Sequence, residues 1–408
     1  MNKNNLSIAV IGGGAAGFFT AINIKEKNSS YSVDIFEKGS KLLQKVKVSG
    51  GGRCNVTNDR SEASELVKFY PRGEKKLYKS FQQFGTKEMR QWLSEHNVPT
   101  VAEHDQRVFP KSNSSQSIID CFIDQTKKLS IGIVPNAPLI ELDKRNEKWE
   151  LKFKGDELKT YDRVIIATGS SEATWSIFDP LGIKMTPRAP SLFTFNIKDD
   201  RIADLAGMVF PQAIVRITKT KLQESGPLLF THWGMSGPVI LKLSSWGARE
   251  LAEKAYRFNV IINFSGKSFD DFGNELRAIK GQNPTKKLKN IRIEDIPKRY
   301  WERLLRLQQI GDKPIGELSK KEMNKLIEEL TQAVFEVSGK STFKDEFVTC
   351  GGIDLSEINF QSMEAKRFPG LYFAGEVIDI DALTGGFNFQ ACWTAGWLIS
   401  EHLTTELS

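Results

Sequence analysis

The start of the chain alternates apolar and polar stretches in the order expected for a strand, a helix and a second strand. Residues 8–11 form a short apolar run, residues 12–17 read Gly-Gly-Gly-Ala-Ala-Gly, and a second apolar run at residues 33–36 ends at Glu37. This order, in a unit of about thirty residues, is the setting in which a glycine-rich turn binds a dinucleotide. The Glu37 carboxylate would accept hydrogen bonds from both hydroxyls of an adenosine ribose and repel a 2′-phosphate, which favours FAD or NAD over NADP.

The spacing of the glycines assigns each of them a separate task. We expect Gly12 to turn the chain off the first strand, Gly14 to let the backbone approach a pyrophosphate, and Gly17 to let the helix pack closely on the sheet. The helix would begin near Ala15 and Ala16, where free N–H groups favour an anion. A secretory signal is the alternative interpretation of this apolar run, but phased glycines have no task in such a signal.

Apolar spacing farther along the chain predicts helices within residues 61–130 and strands after them. The predicted strands are residues 131–134, 138–142, 149–154 and 162–169. The last of these ends in the small residues Ala167, Thr168 and Gly169. Such a small end leaves room for a cofactor to contact the backbone.

The character of the sequence changes from residue 187 to about residue 340. Strands are predicted at residues 193–197, 212–218, 227–231 and 256–264, interrupted by residues 231–238. That interruption contains Gly-Met-Ser-Gly rather than a Gly-x-Ser-x-Gly elbow, so serine hydrolase chemistry is not expected. His232 within it is a candidate to face a ligand, and a structural role for it stays open. Residues 267–340 show helical spacing and carry 16 Lys or Arg against 12 Asp or Glu. Solvation, subunit contact or nucleic acid could each explain this basic face, and the first two are favoured.

A second glycine-rich run follows Glu37 and reads Ser49-Gly-Gly-Gly-Arg-Cys-Asn55. Consecutive glycines predict a loop that aims several N–H groups at one anion or carbonyl. Arg53 adds a fixed fork of donors. Cys54 has no partner cysteine near it in sequence, so we expect packing or cofactor contact rather than dithiol chemistry.

The C-terminal part supplies a third candidate segment. An apolar run at residues 371–374 ends at Gly375-Glu376, and Gly385-Gly386 precedes a helical pattern. A carboxylate at Glu376 can bond the ribityl hydroxyls of a flavin, which a nicotinamide dinucleotide lacks. A helix that begins at the glycine pair would place its positive end near the flavin ring. FAD is therefore favoured over NAD as the bound cofactor.

Composition narrows the class of protein further. The 408 residues are 40% hydrophobic and 26% charged, which is typical of a globular protein of two or three domains. Four cysteines without short spacing argue against a disulfide framework or a zinc site and fit the cytoplasm, and the four histidines show no metal-ligand spacing. The net charge of +7 allows an anionic partner.

Taken together, the chain resembles the aminoacetone oxidase-like bacterial flavoproteins, also called BaiN- or YhiN-type and described as NAD(P)/FAD-dependent oxidoreductases. The segments that carry the resemblance are residues 12–17, 49–58, 107–110, 231–238, 349–352 and 371–390. It implies an α/β fold with a Rossmann-like two-part FAD-binding domain, an inserted β-barrel-like domain and a small helical domain. The implied segments are FAD-binding residues 1–188 and 346–408, barrel residues 189–266 completed by about 332–345, and helical residues 267–331.

The motifs and the resemblance together give a set of expected cofactor-binding residues and no metal site. The set is Gly12, Gly14, Ala15, Ala16, Gly17, Glu37, Lys38, Lys45, Ser49, Gly50, Gly51, Arg53, Cys54, Asn55, Leu139, Ala167, Thr168, Gly169, Gly375, Glu376, Gly386, Phe387 and Asn388. No catalytic acid or base stands out, and His232 and the loop at residues 379–384 are the first places to look.

The expected function is an FAD-dependent oxidoreductase that transfers hydride through flavin N5 and exchanges electrons with NAD(P)H or oxygen. No second glycine fingerprint with strand–helix context is present, so NAD(P)H would bind only transiently. We expect a small organic substrate, no membrane and a monomer or homodimer. Two alternatives stay open: a flavin-dependent tRNA-modifying enzyme, which would bind nucleic acid, and a non-catalytic flavin-binding protein. Aromatic residues among the basic ones would favour RNA, and the helical segment has few, such as Tyr300 and Trp301.

Overall fold

The computed structural model describes residues 5–341 and 348–405, and only the backbone of residues 172–174. Two compact units are present: a terminal unit, Met1–Ala189 with Lys344–Ser408, and an inserted unit, Pro190–Phe343. The expected segment boundary at 345/346 lies outside the described residues. The division into four sequence segments stays a prediction.

Strands and helices are numbered separately along the described chain. The strands are β1 (Ser7–Ile11), β2 (Ser32–Phe36), β3 (Thr57–Asn58), β4 (Thr100–Ala102), β5 (Arg107–Pro110), β6 (Gly132–Val134), β7 (Leu139–Arg145), β8 (Lys148–Phe153), β9 (Leu158–Tyr161), β10 (Arg163–Ile166), β11 (Met185–Pro190), β12 (Thr194–Asn196), β13 (Val209–Ile217), β14 (Gln223–Thr231), β15 (Gly234–Ser236), β16 (Phe258–Asn263), β17 (Ala333–Val337), β18 (Gly339–Ser341), β19 (Thr349–Ile353), β20 (Ile358–Asn359), β21 (Glu364–Ala365) and β22 (Leu371–Phe373). The helices are α1 (Ala15–Lys27), α2 (Gln44–Gly52), α3 (Ala63–Leu66), α4 (Glu74–Gln83), α5 (Thr86–Glu95), α6 (Gln116–Lys128), α7 (Pro238–Trp246), α8 (Ala248–Glu253), α9 (Phe269–Gln282), α10 (Lys298–Leu307), α11 (Lys320–Thr331) and α12 (Phe387–Thr405).

The core of the terminal unit is a sheet in the order β20-β21-β22-β10-β1-β2-β6. Strands β22, β10, β1, β2 and β6 run parallel, with Ile8 paired to both Arg163 and Val33. The central strands are apolar on both faces because helices cover both sides of such a sheet, and Val10 and Ile165 are fully buried. This arrangement confirms the Rossmann-like part of the predicted fold class.

Helices α1 and α12 lie together in the terminal unit, although they are far apart in sequence. A Cβ built on Gly396 of α12 would lie 2.6 Å from Thr20 Oγ1 of α1, so the two backbones approach closely there. The aromatic ring of Phe19 in α1 packs against Trp393 in α12, with 5.3 Å between ring centroids. This contact joins the first and last parts of the chain, as a two-part domain requires.

The inserted unit contains an antiparallel sheet in the order β17-β16-β13-β14-β15-β12-β18. Its two outermost strands, β17 and β18, are consecutive in sequence, and Ser338 alone separates them. Because one residue cannot span an open sheet, the sheet must curl until its edges meet. This curl agrees with the predicted β-barrel-like architecture. The segment 231–238, expected to interrupt the strands, instead contributes β15 to the sheet.

Helices α9, α10 and α11 pack on the same hydrophobic core as that sheet. Tyr300 of α10 is fully buried and lies against Phe210, Phe230 and Phe264, with ring centroids 5.1, 5.6 and 4.8 Å away. Trp301 is 1% exposed, and its Nε1–H donates to the Leu288 carbonyl at 2.9 Å. Neither aromatic residue is therefore available to stack on a base.

Candidate functional site

The first glycine turn has the geometry that its spacing predicts. Gly12 has a φ of +123°, and a Cβ there would lie 2.3 Å from the Ala167 carbonyl oxygen at the end of β10. A Cβ on Gly17 would lie 2.0 Å from the Gly12 carbonyl oxygen, whereas a Cβ on Gly14 would meet no atom within 4 Å. Gly12 and Gly17 thus permit close packing within the chain, and Gly14 faces open space.

Unused hydrogen-bond donors converge on the space beside this turn. Gly14 precedes α1 without a side-chain cap, so the N–H groups of Ala15 and Ala16 at the start of the helix have no intrahelical partner. At the carboxyl end of β10, the Thr168 hydroxyl is buried without a hydrogen-bond partner among the described residues. Buried donors of this kind are costly unless a ligand satisfies them.

Glu37 is held in place by the backbone around it. Its Oε2 accepts from the Gly13 N–H at 2.8 Å, and its Oε1 accepts from the Gly39 N–H at 2.9 Å. Each carboxylate oxygen keeps lone pairs for a further donor, so the group is oriented yet still able to bind hydroxyls. Next to it, the Lys38 Nζ donates to the Ser171 hydroxyl at 2.8 Å. The Ala137 N–H donates to the Glu37 carbonyl at 2.9 Å, which brings buried Leu139 into this region.

The second glycine run departs from the plain loop that we expected. Helix α2 extends to Gly52, but Ser49 has a ψ of 146°, and Gly50 and Gly51 have φ values of 56° and 68°. The helix is therefore broken by the residues that the sequence marked as non-helical. Cys54 follows with a φ of 59°, a backbone conformation that residues other than glycine rarely adopt. Its thiol is fully buried, and burial raises its pKa to about 12, so it is a neutral thiol at physiological pH.

In this conformation the Arg53 guanidinium contacts protein side chains, which argues against a role in binding an anion. Its guanidinium pairs with Glu103, and its Cζ lies 3.8 Å from the centre of the Phe109 ring. Ser49 donates through Oγ to the Val46 carbonyl at 2.9 Å. These contacts fix the loop from behind and leave its glycine backbone as the accessible part.

Asn55 connects this loop to the C-terminal glycine pair. With its amide oriented to satisfy its neighbours, it donates to the Thr57 carbonyl at 2.9 Å and accepts from the Gly386 N–H at 3.0 Å. A Cβ on Gly386 would lie 2.3 Å from the Thr57 carbonyl oxygen, so only glycine allows this approach. Asn58 strengthens the connection, since its Nδ2 donates to the Gly385 carbonyl at 3.1 Å.

The start of α12 is fixed by the residues around it. The Tyr70 hydroxyl donates to the Phe387 carbonyl at 2.6 Å, and Phe387 stacks on Phe69 with 4.3 Å between ring centroids. Asn388 accepts from the Ala382 N–H at 2.9 Å and donates to the Ala382 carbonyl at 3.1 Å. The side chains of Phe387 and Asn388 thus shape the turn rather than project from it.

Gly375 and Glu376 lie between the first helix and the last. A Cβ on Gly375 would lie 3.1 Å from Ala16 Cβ and 3.3 Å from Cys392 Sγ. Glu376 pairs with Lys45, and its Oε2 lies 3.9 Å from the Cβ position of Gly169. The three glycine-rich segments and the end of β10 therefore converge in the terminal unit.

The proposed acid–base candidates fall in two different environments. His232 is exposed and follows β14 in the inserted unit. Asp381 is fully buried in an ion pair with Arg72, and Asp379 accepts from the Gly351 N–H at 2.9 Å. Both aspartates hold their loop in place. The expected site residues did not include Arg72, Tyr70, Thr57 or Asn58, although Thr57 and Asn58 lie in the polar run at residues 49–58 that carries the resemblance.

Neither a membrane-spanning helix nor a metal-ligand cluster is found among the described residues. No described helix combines the length and the apolar character needed to cross a bilayer. Within residues 5–341 and 348–405, no group of three or more His, Cys, Asp or Glu side chains is arranged to hold a metal ion.

Comparison with known proteins gives a family match over nearly the whole chain. The model of the "HI0933-like protein Rossmann domain" matches residues 6–402. The chain is 29% identical to the ribosomal RNA dihydrouridine synthase of Escherichia coli K12, over 98% of this chain and 98% of that protein. It is 24% identical to the 3-dehydro-bile acid delta(4,6)-reductase of Clostridium scindens, over 96% of this chain and 97% of that protein. The 3-ketosteroid delta1-dehydrogenase structure from Sterolibacterium denitrificans shares the fold, with a TM-score of 0.52, 11% identity and coverage of 99% of this chain and 100% of that one.

The terminal unit fits FAD on its own geometry. The open space at Gly14, the unpaired N–H groups of α1 and the orphaned Thr168 hydroxyl suit a pyrophosphate. Glu37 is oriented for a ribose, and Glu376 lies at the carboxyl end of β22, where ribityl hydroxyls are expected.

Proposed function

Because the chain belongs to the HI0933-like Rossmann family and is an FAD-dependent oxidoreductase, we propose that it reduces the C5–C6 double bond of a uracil in ribosomal RNA. The observation that carries this proposal is the alignment with the Escherichia coli ribosomal RNA dihydrouridine synthase, which has 29% identity and covers 98% of each chain. An alignment of that extent includes both units, so it is not limited to the shared flavin fold.

The chemistry named in the two curated relatives supports reduction of a carbon–carbon double bond. A dihydrouridine synthase adds two hydrogens across a uracil ring, and a delta(4,6)-reductase removes unsaturation from a steroid-type ring. In both substrates a carbonyl group can activate the double bond toward hydride. The net proposed reaction is NAD(P)H plus a proton plus uridine, giving NAD(P)⁺ and dihydrouridine, so that atoms and electrons balance.

The chain's own residues would bind and orient the cofactor. Bound FAD supplies hydride transfer at N5. We assign the first turn of α1, beginning at Ala15, to the pyrophosphate and Glu37 to the ribose hydroxyls. The amino end of α12, after Gly386, would favour negative charge on the flavin ring through its dipole. Asn55 would hold the loop and the helix in register, since it accepts from the Gly386 N–H.

The test uses ribosomal RNA from a strain in which the gene has been deleted. The purified holoprotein, deproteinised RNA and NADPH or NADH are incubated without oxygen, and the RNA fragments from a sequence-specific nuclease digest are analysed by mass spectrometry. We expect dihydrouridine to form with at least one donor, at a defined position, and not without a donor. Absence of dihydrouridine with both donors, while flavin absorbance shows that FAD is bound, would contradict the proposal.

A second candidate substrate is an unsaturated steroid-like small molecule. It is favoured by the 24% identity to the bile acid reductase over 96% of this chain. The same enzyme preparation is therefore offered an unsaturated 3-oxo steroid with each donor. Loss of the substrate's ultraviolet absorbance, together with unmodified RNA, would replace the RNA proposal with this one.

A further inference from the structure

Two neighbouring turns in the inserted unit form a single hydrogen-bonded surface. Residues 284–292 and 311–316, which we call the basic double turn, are joined by four backbone hydrogen bonds. The bonds are Leu288 N to Lys313 O at 3.0 Å, Lys289 N to Gly311 O at 3.0 Å, Ile315 N to Lys286 O at 2.9 Å and Gly316 N to Pro284 O at 2.8 Å. The backbone of the surface is therefore fixed before any ligand binds.

The side chains of this surface carry a strong excess of positive charge. The two segments contain five basic residues and one acidic residue. The exposed or half-buried basic residues are Lys286, Lys287, Lys289, Arg292 and Lys313. Lys313 pairs with Glu322 of α11, which leaves four basic residues and one acidic residue, Asp312, in the two segments.

Asp312 holds two of the ammonium groups close to each other. Its Oδ1 lies 2.7 Å from Lys289 Nζ and 3.2 Å from Lys287 Nζ. The two lysines lower the pKa of the Asp312 carboxyl. One carboxylate oxygen shared by two ammonium groups leaves unbalanced positive charge, which a phosphate oxygen can neutralise.

The apolar residues of the double turn face inward. Leu288 and Ile315 are fully buried, Ile291 is 4% exposed, and the two segments contain no aromatic residue. From beneath, the Trp301 indole anchors the surface through its bond to the Leu288 carbonyl. A surface of this kind has nothing to stack on a base or to insert into a lipid layer, and it offers charge alone.

We propose that the basic double turn is a contact surface for the phosphate backbone of the RNA substrate. This inference rests on the proposed function and deepens it by naming where the RNA is held. Contacts of this kind position a nucleic acid without reading its sequence. In the free protein the Asp312 carboxylate pairs with Lys287 and Lys289, so it competes with an RNA phosphate for these two ammonium groups.

The test compares three variants by filter binding of labelled, deproteinised ribosomal RNA over a series of salt concentrations. K287E/K289E reverses both ammonium groups, and D312N removes the competing carboxylate. K219E/K221E is the matched control: two exposed lysines, also two residues apart, in the β13–β14 turn of the same unit. The backbone of that turn forms hydrogen bonds to Asn259 and within the turn, and none of them involves the basic double turn. Flavin absorbance and melting temperature check that each variant is folded.

We expect K287E/K289E to weaken binding at least about tenfold near 0.1 M salt and to lower the salt slope by about 2. D312N should bind more tightly than the parent protein, and K219E/K221E should bind like it. Equal weakening by both double variants, or parent-like binding of K287E/K289E, would overturn the inference.

The outcomes also separate this inference from the proposed function. If the parent protein forms dihydrouridine and K287E/K289E binds RNA normally, the surface is wrong and the function stands. Failure of the parent protein to bind ribosomal RNA contradicts both. Binding to vesicles of anionic lipid but not to RNA would assign the surface to a membrane and overturn the inference.

Discussion

The candidate site of the terminal unit and the basic double turn of the inserted unit are built from opposite kinds of groups. The first depends on main-chain geometry: glycines at Gly12, Gly17 and Gly386 let backbone segments approach to distances that a Cβ would forbid. The second depends on long, exposed side chains such as Lys287 and Lys289 that share one carboxylate. A site made of backbone tolerates almost no change, whereas a charged surface loses its effect gradually. Substitutions in both units test that contrast.

Substitution of Gly17 by valine should abolish FAD binding or prevent folding. The new Cβ would lie 2.0 Å from the Gly12 carbonyl oxygen, so α1 cannot keep its place on the sheet. The ratio of flavin absorbance to protein absorbance measures this effect. Gly14→Ala is the matched variant, because its Cβ meets no atom within 4 Å. It should fold normally and lose only FAD affinity; retention of flavin by Gly17→Val would refute the close-packing argument.

Removal of the Arg72 side chain should destabilise the terminal unit by about 3–5 kcal/mol, because it takes away the guanidinium that pairs with a buried carboxylate. Asp381 is fully buried and Arg72 is 10% exposed. Denaturant unfolding of Arg72→Ala measures the loss. Lys127→Ala removes an ion pair of which both members are more than 70% exposed, and it should change stability by no more than about 1 kcal/mol. Equal stability of the two variants would show that burial of the pair is unimportant.

The pair formed by His96 and Glu26 should stabilise the terminal unit only at lower pH. Burial disfavours the charged imidazole, but hydrogen bonds to Glu26 and to the Trp92 carbonyl outweigh it, so the pKa of His96 lies above its ordinary value of 6.5. The contribution is therefore complete below the unfolded-state pKa and is lost as the pH rises through the folded-state pKa.

Glu26→Gln measures that contribution through unfolding curves at several pH values. The substitution should lower the free energy of unfolding by up to about 1 kcal/mol near pH 5.5 and by much less near pH 9. A cost that stays constant across this range would mean that the charge on His96 plays no part.

The smallest expected effect is a gain in stability in the inserted unit. Gly281 lies in α9, one residue before its end, and a Cβ there would meet no atom within 4 Å. Gly281→Ala should raise the unfolding free energy by up to about 1 kcal/mol, because alanine favours the helix. A thermal melt measures the change. A lower melting temperature would show that this glycine, like those of the terminal unit, is required by its surroundings.

The sequence predicted the elements whose residues carry local signals. Gly12, Gly14 and Gly17 were assigned separate tasks from spacing alone, because a strand, a turn and a helix leave their marks within a few residues of one another. The two-part α/β fold was implied by the resemblance to the flavoprotein family, whose motifs lie at both ends of the chain. Helix α2 was not expected, since the glycines that break it also hid the helical residues before them.

The remaining features depend on contacts that spacing does not encode. Asn55 reaches Gly386, and Arg72 reaches Asp381, more than 300 residues away in each case. No local pattern states which distant backbone group a polar side chain will meet. Likewise, the count of basic residues indicated a charged segment, but only the hydrogen bonds between the two turns bring Lys287 and Lys289 to one carboxylate.

The single residue between β17 and β18 has a consequence for protein synthesis. Strand β18 pairs with β12, and Ser341 donates to Asn196 across 145 positions of sequence, at 2.7 Å. Translation must therefore pass the whole helical segment before the last strand of the sheet exists. Until then, the nascent chain has β12 with one side unpaired, and pairing over such long separations is slow. A chain released after its synthesis stops between residues 237 and 338 would contain a sheet with β12 at an exposed edge, the kind of edge that recruits other chains.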